Sequence, residues 1–183
     1  MFEVRGQRAT PIRCVNLATQ RAMDATTKLG QNYPIAMKNR SVPVDTVLPH
    51  VRYRDLPTAI DWLVKHFGFV EQYHYTDSTT GKISGAQLRL SNAYIMAHPM
   101  KVPSASTPAE LGYDQQSLTI FFDDVDAHHR KVKATGIRLT EQLHETVYGE
   151  LQYAVQDLEG HLWIFSQHAK DLSPDQWGAK ITK

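Results

Sequence analysis

Between Asp45 and His98 the apolar positions change period twice. Asp45 to Asp55 reads as an extended stretch that ends at an acid. In the segment that follows, Leu56, Ala59, Ile60, Leu63 and Phe67 fall at helical spacing, with Asp55 placed to cap the first amides and Gly68 to stop the helix. Phe69 to Thr76, Ala86 to Leu90 and Ala93 to His98 then alternate with period two. The turn-rich cluster Asp77 to Lys82, with Gly81, separates the first pair, and Ser91-Asn92 separates the second. The predicted order is βαβββ.

The same order returns after Lys101 to Gln116, a linker rich in Pro and Ser. Ser117 to Asp124 is again a strand ending in an acid, and Val125 to Gly136 a helix with a glycine stop. Ile137 to Leu143, Leu151 to Gln156 and Leu162 to Gln167 supply three more strands. A unit of this size is too small to bury a core alone, so the two sheets are expected to face each other, bury their inner faces and leave a cleft between them. A pattern occurring only twice describes a paired module rather than an array. The fold class expected is α+β, built from two βαβββ repeats at residues 45–99 and 117–168. They lie within a domain at 45–170, followed by a C-terminal tail at 171–183.

Charge separates the beginning of the chain from this domain. The whole protein has 20 basic and 19 acidic residues and a net charge of +1, which disfavours a broadly basic nucleic-acid surface on the folded domain. The early segment is different: Arg5, Arg8, Arg13, Arg21, Lys28, Lys38 and Arg40 outnumber Glu3, Asp24 and Asp45. Residues 1–44 are therefore read as a basic arm. Thr10-Pro11 starts, and Gly30 stops, a weak amphipathic helix over 11–30 with a thin stripe of Ile12, Val15, Ala18, Ala22 and Leu29. The single cysteine, Cys14, excludes a disulfide framework and a cysteine-rich zinc site. No apolar run approaches the roughly 18 residues of a membrane span, and a soluble, cytoplasmic protein is expected.

The duplicated pattern resembles the glyoxalase/bleomycin resistance superfamily, the vicinal oxygen chelate proteins. The resemblance is carried by Pro49-x-Val51-x-Tyr53-x-Asp55 with Ala59-Ile60-x-Trp62 and Phe67-Gly68, and by Phe122-Asp123-Asp124-Val125-Asp126-Ala127 with Gly136. Its most specific part is Tyr148-Gly149-x-Leu151-x-Tyr153 followed by Asp157-x-Glu159-Gly160-His161-x-Trp163. Leu158 departs from the proline usual there. The resemblance implies a cleft that holds a divalent ion in the metal-dependent members, with one His, Gln or Glu from the first and last strand of each repeat. Carried onto this chain, those positions are Leu48, Met96, Ser117 and Ile164. None of these side chains can complete an oxygen and nitrogen coordination sphere, so no metal and no cofactor is expected at the family position.

The phase that turns the family ligand positions toward the cleft also assigns its lining: His50, Arg52, Met96, His98, Ser117, Thr119, Leu162, Ile164 and Ser166. This mixed set suits a semi-polar organic molecule, and Arg52 suits an anionic or π-faced one. Among the histidines, His50, His98 and His168 share that phase and leave open a displaced metal site. His128-His129 is read as a surface pair, because neighbours on a helix point about 100° apart. Asp123, Asp124 and Asp126 are read as a cap and its first turn. His144, Glu145 and Tyr148 are placed in the loop before the seventh strand. Trp62, Phe67, Trp163 and Phe165 are assigned to the core.

The expected function is binding of a small organic molecule in a metal-free cleft by a homodimer, of the drug- or metabolite-sequestering kind that the resemblance includes. The alternative is a lyase, isomerase or dioxygenase of the same superfamily, working with a displaced metal or by metal-free proton transfer. No catalytic residue is assigned.

Overall fold

The computed structural model describes residues 42–182 apart from 44, 45, 103 and 115. The helix expected at 11–30, and Cys14 with it, lie outside the described residues. The elements are β1 (His50–Tyr53), α1 (Leu56–Phe67), β2 (Val70–Thr76), β3 (Ile83–Leu90) and β4 (Ala93–Pro99), then α2 (Pro108–Leu111), and β5 (Ser117–Phe121), α3 (Val125–Ala134), β6 (Glu141–Glu145), β7 (Glu150–Gln156) and β8 (Leu162–His168). A one-turn 3-10 helix follows at Pro174–Trp177. The strands form two four-stranded sheets, ordered β1-β4-β3-β2 and β5-β8-β7-β6. In each, the first and last strands of the repeat pair in parallel and the rest pair antiparallel. This is the α+β architecture of two βαβββ repeats.

Both main helices start as their sequences dictate. Asp55 accepts from the amide of Thr58 at 3.2 Å and Asp124 from that of Ala127 at 2.8 Å. Gly68 ends α1 at φ 78°, a left-handed conformation that a side chain would oppose. Leu56, Ala59, Ile60, Leu63 and Phe67 bury one stripe of α1. Phe67 then reaches the second repeat, its ring edge-on to Trp163 at 5.8 Å and Phe165 at 5.1 Å. Val51, Tyr53, Ile95 and Ala97 from one sheet and Ile120, Tyr153, Trp163 and Phe165 from the other belong to the same buried cluster. The two repeats therefore share one core.

A polar latch joins the repeats at the edge of that core. Asp157 is buried, and its Oδ2 accepts from Tyr53 Oη at 2.8 Å and Trp163 Nε1 at 3.0 Å. Its Oδ1 accepts from the backbone N–H groups of Glu159 and His161, each at 3.0 Å. Glu159 Oε1 in turn accepts from the Arg54 amide at 2.7 Å, and His161 Nε2 donates to the Arg52 carbonyl at 3.0 Å. Burial, with the Asp157 carboxylate beside it, pushes the Tyr53 phenol well above its ordinary value. The turn that carried the family resemblance is thus the piece of the second repeat that grips β1 of the first.

Several expectations are corrected here. The strand expected at Ile137 to Leu143 begins later, as β6. Ile137 and Leu139 alternate because they pack on the core, and pairing with β7 starts only at the Thr140 amide, 2.8 Å from the Ala154 carbonyl. His144 and Glu145 consequently lie in β6, not in a loop. The linker contains α2, fixed by a capping box between Thr107 and Glu110. His128 is buried rather than on the surface: Val125, His128 and Val132 form the inward stripe of α3. Its Nε2 donates to the Phe67 carbonyl at 2.9 Å, and Nδ1 accepts from Tyr153 Oη at 2.7 Å. His129 is half-buried, with Nε2 unpartnered among the described residues.

Two outcomes follow. Asp157→Ala strands the Tyr53, Trp163 and two backbone donors in the core, and it is expected to cost about 3 kcal/mol or more in a urea titration. A loss under about 1 kcal/mol would show that the latch is incidental. The second concerns His128, which burial holds below its ordinary 6.5, against the opposing pull of the Phe67 carbonyl. The unfolded chain takes up that proton first, so the contribution of neutral His128 is complete above pH 6.5 and is lost as pH falls toward the folded value. His66 and His98 shift the same way and His168 the opposite way. The comparison of parent with His128→Gln isolates the effect: stability should fall less steeply below pH 6.5 in the variant.

Candidate functional site

The strand phase that sends Val51, Tyr53, Ile95 and Ala97 into the core turns His50, Arg52, Met96 and His98 to the other face of the first sheet. Register places these four together, His50 beside Met96 and Arg52 beside His98. The second sheet gathers the remaining five in the same way: Ser117 beside Leu162, Thr119 beside Ile164, and Ser166 beside Phe121. Both patches face away from the shared core. Among the described residues no hydrogen bond or ring contact joins one patch to the other. Between the sheets a cavity of about 260 Å³ is lined by Tyr94 and Ile95 of the first repeat and by Leu118, Thr119, Ile120 and Trp163 of the second. Of the assigned residues Thr119 borders it, and the others lie in two groups, one on each sheet.

The first patch has the more developed chemistry. His50 Nδ1 and His98 Nε2 are 2.9 Å apart, and the two rings stack at 5.0 Å and 6°. A single proton satisfies that contact, whereas two imidazolium rings so stacked would repel. Burial holds His98 below its ordinary value, and His50, Arg52 and Lys101 push it the same way against the Ser84 backbone. Tyr75 Oη reaches His98 Nδ1 at 3.3 Å. Its ring crosses β3 above Gly85, where an added Cβ would collide with Tyr75 Oη. Gly85 is thus the gap that lets Tyr75 lie across the sheet. Next to it Gln87, paired with Tyr73 and Met96, is 1% exposed, and its Nε2 has no partner among the described residues.

The second patch is simpler. Ser117 and Thr119 are exposed, Leu162 and Ile164 half-buried, and Ser166 buried with Oγ 3.4 Å from Glu150 Oε2. Phe121, on the same face, is 60% exposed. His168 lies at the end of this sheet, with Nδ1 3.2 Å from Glu150 and Nε2 2.8 Å from Asp171, and these carboxylates raise its pKa. It does not join His50 and His98, so the three-histidine site left open by the sequence is not assembled. No group of three or more His, Cys, Asp or Glu among the described residues is placed to hold a metal ion. The family's ligand positions hold Leu48, Met96, Ser117 and Ile164, which do not fit a divalent metal.

Other candidates resolve into local structure. Asp124 caps α3, and Asp126 pairs with Arg130 one turn on. His144 and Glu145 are consecutive strand residues and so point to opposite faces, which excludes a joint proton relay. Alternation puts Tyr73 and Tyr75 on one face, and register sets Gln87 and Gly85 opposite them. Their phase with Met96 across β3 and β4 was the available signal.

The sequence model of the Glyoxalase/Bleomycin resistance protein/Dioxygenase superfamily matches residues 44–165. No protein of curated function matches the chain. Among solved structures, TioX from Micromonospora sp. ML1 is 30% identical, with a TM-score of 0.54, and the alignment covers 70% of this chain and 99% of that one. A glyoxalase/bleomycin resistance protein/dioxygenase from Alicyclobacillus acidocaldarius is 20% identical (TM-score 0.55, covering 72% of this chain and 97% of that one). A bleomycin resistance determinant encoded on the transposon Tn5 is 18% identical (TM-score 0.54, 68% and 98%). These last two show the shared fold alone. With the family match spanning both repeats and their linker, the chain belongs to the glyoxalase/bleomycin resistance protein/dioxygenase superfamily.

Proposed function

We propose that this protein binds a small organic molecule on the outward sheet faces without a metal ion, as a homodimer in the cytoplasm, in a drug- or metabolite-sequestering role. The observation that carries the reading is the chemistry of the family's ligand positions. Leu48, Met96, Ser117 and Ile164 cannot chelate, while the face around Met96 keeps stacked imidazoles, Tyr75, Arg52 and the Gln87 Nε2 that has no partner among the described residues. A binding site needs such surfaces: apolar area with a few aimed polar groups.

Exposure supports the dimer. Tyr73 and Tyr75 are 42% and 44% exposed, and every residue of β2 is exposed. A second copy laid over these faces would enclose them. Members of the superfamily bind small ligands and often dimerise. A metal-free lyase or isomerase is the second reading, favoured by the hydrogen-bonded chain from Tyr75 through His98 to His50, which could move a proton.

The test is native mass spectrometry with metal analysis on untagged protein. The proposal expects a co-purifying organic mass that dissociates on unfolding, and metal far below one equivalent. It expects His98→Ala to fold and to leave the metal content unchanged. About one equivalent of Zn, Ni, Fe or Mn in the parent, lost in His98→Ala, would overturn the metal-free reading. No organic mass under native conditions would count against sequestration.

A further inference from the structure

A cavity of about 440 Å³ opens beside β1, between the edge of the first outward patch and the linker that joins the repeats. Its polar wall is His50, Arg52, Lys101, Ser106, Gln116 and His161, and no Asp or Glu lines it among the described residues. The sequence points to His50 and Arg52 but not to Lys101, which the linker brings beside β1, nor to His161, which the β7–β8 turn brings there.

The basic side chains are held in different ways. Arg52 Nη1 donates to the Pro99 carbonyl at 3.1 Å, which fixes the guanidinium plane and leaves most of its donor fork uncommitted. His161 is oriented by its Nε2–H bond to the Arg52 carbonyl and by the edge contact of its ring with Tyr53 at 5.1 Å. Lys101 enters no salt bridge among the described residues. Glu110, on the linker, is already taken. Arg54 donates to both its oxygens, at 2.6 and 2.8 Å, and the Thr107 amide to Oε2 at 2.9 Å, and these bonds lower its pKa to about 2. The cavity is therefore a concentration of positive charge without an internal counter-ion. His98 registers the same field: beyond the effect of burial, His50, Arg52 and Lys101 each disfavour its protonation. Met100 and Val102 add apolar wall.

We infer that the ligand is a small organic acid, whose anionic group enters this cavity against Arg52 and Lys101 while its hydrocarbon body lies on Met100 and Val102. This rests on the proposed binding function and names its ligand class. A planar two-oxygen anion matches the guanidinium fork, and a cavity of this volume takes a one- or two-ring acid.

Isothermal titration with 2-naphthoate, its neutral counterpart 2-naphthamide and inorganic phosphate tests the inference. The acid should bind at least about tenfold more tightly than the amide. Phosphate should compete with it, and the His161 and His50 imidazole resonances should shift on addition of the acid. Arg52→Gln with Lys101→Gln should remove the preference for the acid over the amide. Lys101→Gln alone, at an exposed position, should reduce it and keeps the test open if Arg52→Gln disturbs β1. Equal affinity for acid and amide, or a preference that survives the double variant, overturns the inference and leaves the binding function standing. Failure of the acid and of phosphate to bind also overturns it. The binding function is judged separately, by the co-purifying mass.

Discussion

The Asp157 carboxylate sits where the two repeats meet and takes hydrogen bonds from both. Tyr53 comes from the first strand of the first repeat, and Trp163 and two backbone amides come from the second. A buried carboxylate is tolerated when its lone pairs are filled by aimed donors, and here each oxygen receives two. Neither repeat could satisfy it alone. The latch sets the register of β1 against the β7–β8 turn, and Phe67, Trp163 and Phe165 then complete one aromatic core between the sheets.

The placement of the candidate site follows from that shared core. With the helix-facing sides of both sheets spent on the shared core, the opposite sides turn outward. His50, Arg52, Met96 and His98 lie on one, and Ser117, Thr119, Leu162, Ile164 and Ser166 on the other. Glycine at position 85 adds a second constraint, since only there can Tyr75 cross the sheet to reach His98. The chemistry of the first patch is accordingly that of adjacent strands: stacked imidazoles, a tyrosine and a buried amide held by register rather than by a loop.

Much of this was legible in the sequence for definite reasons. Helix caps and stops are local, so Asp55, Gly68 and Asp124 could be placed from their neighbours alone. Period-two alternation fixed which strand residues share a face, and the family motif supplied which face carries the ligand positions. What was not legible depends on partners far apart in the chain. His128 looked like half of a surface pair until the Phe67 carbonyl and Tyr153 were seen to enclose it. Lys101 comes beside Arg52 because the linker runs along β1, and His161 because the β7–β8 turn grips β1. Ile137 and Leu139 mimicked a strand because packing on a core and pairing in a ladder produce the same alternation.

The central claim is that one chain carries outward half-sites which a second copy completes. Sedimentation velocity at micromolar concentration tests it most directly. The account predicts a single species at twice the mass of the 20.8 kDa chain, reverting toward monomer when Tyr73 and Phe121 are both changed to charged residues. A monomer for the unaltered protein would contradict it.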